Sequence, residues 1–299
     1  MHAKAAAAEG VAAARAGVWQ LKTRGLLLPR RPRLMGILNV TPDSFSEGGT
    51  HFDSRAAVDR AQELVEQGAD ILDLGGQSTR PYSERLSADE ELRRIAPVLE
   101  RLQGSLGIPL SIDTFYAQVA REAIAAGAEI INDVTGLTGD GEMVLVAVES
   151  GAGVCAMHMQ GTPQTMQDQP TYGDVVAEIY DYLHARRDTL EQAGIKRSRI
   201  AIDPGLGFGK KHEHNLTLVR SCRRFLELGC PVLVGHSRKG FIGKVIGNKE
   251  ADRTAGTIGV SLALASQGVQ ILRVHDVAQV RDALLLYEAS GGFDHLPAD

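Results

Sequence analysis

The chain has 299 residues, 43% of them hydrophobic and 23% charged, and a formal net charge of -5. That length holds one large domain or two modest ones, with ample apolar material for a core. The acidic balance argues against general nucleic-acid binding, and no run approaches the roughly 18 apolar residues of a membrane span.

The charge is uneven, because residues 1–33 carry seven Lys or Arg against one Glu. The opening MHAKAAAAEGVAAARAG has no continuous apolar core of the signal-peptide kind, since Glu9 and Arg15 interrupt it. An Ala-rich tail is a simpler reading than a transit-type leader. Residues 1–32 are therefore expected to form an N-terminal extension, with VWQLKTRGLLLP (18–29) as a small hairpin turning at Thr23 to Gly25. The hairpin is placed at the bottom of the domain that follows, 33–290. Cys155, Cys222 and Cys230 fit neither a zinc pattern nor a disulfide framework, so a reducing cytoplasm is the expected setting.

From residue 34 one pattern repeats: a short apolar run, a polar or Gly-rich junction, then an amphipathic stretch. The runs are LMGILNV (34–40), ADILDLG (69–75), IPLSID (108–113), AEIIND (128–133), AGVCAMH (152–158), RIAID (199–203), PVLVG (231–235) and VQILRVH (269–275). Between them lie helical candidates such as SRAAVDRAQELVEQG, SADEELRRIAPVLERL and YGDVVAEIYDYLHARRDTLEQAG, several opening at a capping Ser or Asp and ending near Gly. Strands that alternate with helices pair in parallel, so the expected fold is α/β, a single (β/α)8 barrel. An open doubly wound sheet is the alternative; the count of eight and the chain length favour the barrel.

Chemistry in such a barrel sits at the C-terminal ends of the strands. Those ends carry Asn39; Asp73 before Gly75-Gly76; Asp113; Asn132-Asp133; His158; Asp203; His236-Ser237-Arg238-Lys239; and Arg273 with His275. One polar end means little. Eight together point to a polar ligand with anionic and donor parts. The cations fall late, after the seventh and eighth strands, where this fold favours phosphate, and Arg80 in GGQSTRP adds another. Asp113 and Asp203 end apolar strands, so each is satisfied internally or by a ligand edge with paired N–H donors. Asn132 offers donor and acceptor, and Lys239 would reach a ring carbonyl. The pocket thus reads as acidic and amide-bearing for a heterocycle, basic for a phosphate. PGLGFGKK (204–211) lacks the spacing of a phosphate loop. The two His of HEHN (212–215) do not share a helix face, so zinc is discounted, and His158 reads as a hydrogen-bonded core histidine.

Eight segments, MGILNVTPDSFSEGG, DLGGQSTRP, SIDTF, IND, MHMQG, DPGLGFGK, SRKGFIG and RVHDV, run in the order found in dihydropteroate synthases, and from 34 to about 277 the chain resembles that family. The resemblance implies a barrel that joins (7,8-dihydropterin-6-yl)methyl diphosphate to 4-aminobenzoate, releasing diphosphate. It implies a pterin pocket of Asp113, Asn132, Met157, Asp203, Gly235 and Lys239, and a diphosphate site of Arg273 and His275. Thr79 and Arg80 would lie on a second loop near the substrate. Pro42, Phe45, Phe208, Ser237 and Lys239 would wall the aminobenzoate pocket. Asp43, Arg80, Lys239, Arg273 and His275 are the residues expected to carry catalysis. Asn39 is the expected ligand of Mg²⁺ held on the diphosphate, and the loop from Thr41 to Gly49 would close over it. A homodimer is the expected assembly. An arylamine is already a neutral nucleophile, so departure of diphosphate is the hard step and a dissociative, SN1-like displacement is expected.

The chain departs from the family's pattern at Gln77, where Glu is usual; at Gly240, where Ser or Arg is frequent; and at Phe115-Tyr116, where an aromatic-Lys pair is common. These touch the aminobenzoate side more than the pterin side. A corrinoid-type pterin methyltransferase and a non-catalytic pterin-binding paralogue are the rival readings. The cation set of STRP, SRK and RVHDV weighs against both.

Overall fold

The computed structural model describes residues 15–40, 54–78, 83 and 85–297. An antiparallel hairpin, β1 (Val18–Gln20) and β2 (Gly25–Leu27), precedes eight strands that coincide with the eight apolar runs. They are β3 (Arg33–Asn39), β4 (Ile71–Gly75), β5 (Leu110–Asp113), β6 (Ile130–Asp133), β7 (Gly153–Met157), β8 (Ile200–Asp203), β9 (Leu233–Gly235) and β10 (Ile271–Val274). Their order is β8-β7-β6-β5-β4-β3-β10-β9, every named pair parallel. The seam between β8 and β9 is joined by one bridge, Ile202 to Val232, and by the Ile202 N–H donating to the Pro231 carbonyl at 2.9 Å. The sheet is a nearly closed (β/α)8 barrel, because parallel neighbours require a crossover and the sequence supplies a helix for each.

The described helices are α1 (Ser54–Glu66), α2 (Ala88–Leu102), α3 (Ala117–Ala125), α4 (Met143–Ser150), α5 (Val175–Gln192), α6 (His212–Ser221), α7 (Gly240–Ile246), α8 (Thr254–Ala265) and α9 (Val277–Ala289). Two of them, α7 and α8, follow β9, where the sequence pattern suggested one. Local signals set the ends. Ser87 Oγ accepts the Glu90 N–H at 3.2 Å to open α2, and Asp174 accepts from Val176 and Ala177 to open α5. Helix α2 turns Ile95, Val98, Leu99 and Leu102 inward. Glu91 lies on that same buried stripe, one turn before Ile95.

The core has two layers. Apolar faces of strands and helices form the outer one. The inner one fills the barrel bottom: Met35, Ile71, Ile130, Cys155, Ala201, Leu233 and Ile271 pack under Trp19, Leu21 and Leu28 from the hairpin. Trp19 is 0% exposed, and its indole N–H donates to the Arg199 carbonyl at 3.0 Å. The basic excess near the N-terminus is taken up here. Arg24 pairs with Glu129 at 2.9 Å, Arg33 with Asp70 at 2.6 Å, and Lys22 donates to the Ile124 carbonyl at 2.9 Å. With its bottom sealed, the barrel has one polar mouth, at the C-terminal ends of its strands.

Candidate functional site

At that mouth Arg273 reaches across from β10. Its Nε donates to Asp73 on β4 at 2.6 Å, and its Nη2 to Asp113 on β5 at 2.7 Å. Asn132 on β6 donates to the same Asp73 oxygen at 3.1 Å, while the second oxygen of Asp73 has no hydrogen-bond partner among the described residues. Burial pushes the Asp113 carboxyl up to about 7; Arg273 pulls it back, and Asp73 and Asp133 add to the rise. One guanidinium thus holds two buried acids and stays firmly protonated between them. Asp73 was seen as a polar strand end but not as part of the pocket. Its signal was a carboxylate inside the otherwise apolar run ILDLG, which can only point into the barrel.

Asp203, at the end of β8, accepts the Gly205 N–H at 2.6 Å. Burial raises its pKa, opposed first by Lys239. Lys239 donates to the Leu206 carbonyl, and its ammonium lies 4.4 Å from the Phe208 ring centroid. Burial pulls Lys239 down to about 8, so near neutrality it remains a donor. Gly235 leaves space between these groups, because a Cβ there would lie 3.8 Å from Arg273 Cδ and 4.0 Å from Asp203 Oδ2. Met157, Phe115 and Val134 form an apolar wall backed by Met159 and Phe208.

Ser237 Oγ lies 3.0 Å from His275 Nδ1 and accepts the His275 N–H at 3.2 Å, so these two residues form one unit. The neighbouring polar positions are turned elsewhere. Arg238 pairs with Asp276, Nε to Oδ2 at 3.0 Å. His236 is buried 2.7 Å from Ser261 Oγ, and burial pushes it down to about 4, which makes it a neutral core group. Asn39, half-buried at the end of β3, has an amide without a hydrogen-bond partner among the described residues. Its Oδ1 lies 3.7 Å from where a Gly75 Cβ would stand.

Pro42, Asp43, Phe45, Thr79 and Arg80 lie outside the described residues, as does the loop from Thr41 to Gly49. All three departures fall within them: Gly240 opens α7, and the other two converge. Gln77 Oε1 accepts the Leu86 N–H at 3.2 Å, and the Tyr116 hydroxyl donates to the Leu86 carbonyl. Arg85 lies across Phe115, 4.8 Å from its centroid, and donates to the Tyr116 hydroxyl at 2.9 Å. Neutral groups thus hold both backbone groups of one residue, Leu86. A cavity of about 220 Å³, lined by Arg85, Phe115, Thr135, Met159, Thr162 and Tyr182 among others, adjoins this wall, beside the acidic mouth rather than within it.

Glu91 is 0% exposed, and among the described residues its carboxyl has no hydrogen bond of good geometry, with the Thr114 hydroxyl its nearest polar influence. Burial pushes it up from 4.5 to about 8; the Thr114 hydroxyl and Arg94 pull it down, and Asp113 and Asp133 push it further up. The folded protein therefore keeps a proton on Glu91 that the unfolded chain loses. This stabilisation is fully present below pH 4.5 and disappears as pH rises to about 8. Glu91→Gln keeps the shape and cannot ionise, so it is expected to be the more stable protein at alkaline pH, by roughly 2 kcal/mol. Urea melts of both proteins at pH about 5 and about 8 check this, and equal slopes with pH would count against it.

The model of the family described as pterin-binding enzymes matches residues 35–275. The chain belongs to that family. It is 43% identical over 259 residues to the dihydropteroate synthase of Escherichia coli strain K12, covering 87% of this chain and 92% of that one. Among solved members of the family, dihydropteroate synthase of Xanthomonas albilineans with 4-aminobenzoic acid superposes with a TM-score of 0.85 at 44% identity, covering 94% of this chain and all of the other. Dihydropteroate synthase of Yersinia pestis in complex with a sulfonamide drug gives 0.84 at 39% identity, covering 91% and 98%.

Proposed function

We propose that the chain, a transferase, carries the dihydropteroate synthase activity: it joins (7,8-dihydropterin-6-yl)methyl diphosphate to 4-aminobenzoate and releases diphosphate. The observation that carries this is one mouth holding two kinds of recognition. Asp203, Asn132 and Lys239 offer acceptor, amide and donor to the edge of a 2-amino-4-oxo ring. Arg273, held by Asp73 and Asp113, lies between that edge and the Ser237–His275 pair.

Arg273 and His275 bind and neutralise the leaving diphosphate. Arg273 also lies against the ring, and Met157 and Gly235 shape the cleft. Phe208, Ser237 and Lys239, with Pro42 and Phe45, wall the aminobenzoate. Asp43, Thr79 and Arg80 complete the assigned set. Asn39 fits Mg²⁺ as a single neutral oxygen, which suits an ion arriving on phosphate oxygens with most of its water. When bound, that ion supplies positive charge to the departing phosphate.

Ser237 engages the Nδ1 of His275, and an arylamine is already a neutral nucleophile, so this reading needs no strong base. A dissociative displacement fits: the acids stabilise cationic character on the pterin while the cations stabilise the leaving group. A secondary isotope effect at the methylene well above unity supports this. A value near unity with chemistry rate-limiting overturns it.

The assembly is a homodimer paired away from the mouth, and the exposed Leu285 and Leu286 of α9 are apolar residues it would cover. Equilibrium sedimentation decides it. No described helix is long and apolar enough to cross a membrane, and the three cysteines are buried and unpaired, which agrees with a cytoplasmic enzyme.

The direct assay is diphosphate release by the purified protein. Release is expected only with the pterin diphosphate, 4-aminobenzoate and Mg²⁺ together, and chelation with EDTA is expected to stop it. Tight pterin binding with no release would identify a binding paralogue instead.

A further inference from the structure

Residues 204–211, PGLGFGKK, follow Asp203 and carry Phe208 into the mouth. Most of its backbone carbonyls are held, several of them by side chains from elsewhere in the chain. Asn215 Oδ1 accepts the Gly207 N–H at 2.6 Å, and Gln167 donates to the Gly207 carbonyl at 2.8 Å. The Tyr172 hydroxyl donates to the Gly209 carbonyl at 2.8 Å, and Asn215 Nδ2 to the Lys211 carbonyl at 2.8 Å. Gly205 and Gly209 take φ of +69° and +61°. A Cβ at Gly205 would collide with the His158 carbonyl oxygen, and one at Gly209 would lie 2.5 Å from that of Gln160. So many side chains fixing one short loop describe a platform, and Phe208 is what it presents.

At its centre is Lys210, 2% exposed. Its Nζ donates to His158 Nδ1 at 3.0 Å, to the Phe208 carbonyl at 2.8 Å and to the His158 carbonyl at 3.3 Å. An ammonium has three N–H donors and here finds three acceptors when His158 carries its proton on Nε2. Burial pushes His158 down to about 3, so its ring is neutral and Nδ1 is free to accept. The ring packs edge-on against Tyr182 at 4.8 Å. Burial pulls the Lys210 pKa well below its ordinary value, opposed by Asp203, so its ammonium depends on that carboxylate and on the three acceptors around it; its charge in turn lowers the Asp203 pKa.

We propose that Lys210 is a positioning residue of this reaction: its buried ammonium, held by His158, fixes the loop that presents Phe208 and gives Asp203 a counter-charge that substrate cannot displace. This rests on the assignment of Asp203 and Phe208 to substrate binding. Lys239 and Arg273 also face Asp203, but both stand in the mouth, where a ligand engages them. The Gly205 N–H faces it from its own loop, and the Cys155 and Cys222 thiols behind it are kept protonated by burial. A carboxylate that accepts paired N–H donors must stay ionised, and Lys210 is the cation left in place when the others are occupied.

Lys210→Met tests it. The KM for 4-aminobenzoate is expected to rise on the order of tenfold, because Phe208 is no longer fixed. Loss of the cation raises the Asp203 pKa. Pterin affinity, present above that pKa and lost below it, therefore has its acid limb moved toward neutral pH, as read by calorimetry with the pterin diphosphate. Lys210→Gln restores two donors without charge, so it is expected to recover most of the KM and keep the displaced limb. A Lys210→Met protein that melts like the parent with KM and acid limb unchanged overturns the proposal. So does a loss of melting temperature and kcat in both variants with the limb in place, which is the mark of a merely structural residue. If Lys210→Met does not fold, the same readings on Lys210→Gln decide. Pterin affinity retained by Asp203→Asn would instead overturn the pocket assignment itself.

Discussion

Arg273→Ala is expected to reduce kcat/KM for dihydropteroate formation by roughly a thousand-fold or more, because the charge on the departing diphosphate loses its preorganised guanidinium. The same substitution leaves Asp73 and Asp113 buried without their cation, which is expected to cost about 3–5 kcal/mol of stability at neutral pH. The sign of the pH dependence follows. Without Arg273 the Asp113 carboxyl, already pushed up by burial, holds its proton to still higher pH in the fold than in the unfolded chain. The variant is therefore least destabilised in acid and loses stability as pH rises. Arg273→Lys keeps the charge but not the fork that spans both acids, and an intermediate loss, about a hundred-fold, is expected. Continuous diphosphate release with urea melts at two pH values separates chemistry from stability. Activity within tenfold of the parent for the alanine variant would remove Arg273 from the centre of the site.

Asp203→Asn is expected to weaken binding of the pterin diphosphate by about a thousand-fold, since it sets an amide N–H₂ where the ring brings its own donors and buried donors are then left unpaired. Fold stability should change little or rise, because a buried carboxylate has been removed while the Gly205 N–H keeps an oxygen to donate to at 2.6 Å. Calorimetry reads the affinity. A loss smaller than threefold, in a folded protein, would mean that the heterocycle docks elsewhere, and the Phe115 wall with its adjoining cavity of about 220 Å³ would be the place to look.

Of the candidate site, the strand ends were legible and the pairings were not. Arg273, Asp113, Asn132, Asp203 and Lys239 announce themselves as polar residues closing apolar runs, where only function or an internal partner makes a charge tolerable. That Arg273 would be held by Asp73 and Asp113 was not legible, because those contacts join residues 200 and 160 positions apart. Glu91 was hidden for a different reason. A Glu near a helix start reads as a dipole partner, and its place on the stripe of Ile95 and Val98 had to be weighed against that. Gln77 and Tyr116 read as two separate departures, and only the fold brings both onto the backbone of Leu86.

By itself the sequence determined the alternation of strands and helices. Hydrophobic periodicity is local and parallel strands admit no other connection, so the barrel, its eight polar strand ends and its resemblance to the family followed without coordinates. Tertiary structure decided which charges face one another. Closing the sheet brings β10 beside β3 and leaves Arg273 opposite β4 and β5, and it buries Lys210 beneath the loop that displays Phe208. Ionisation and loop position depend on neighbours contributed by distant strands, and no local pattern encodes those neighbours.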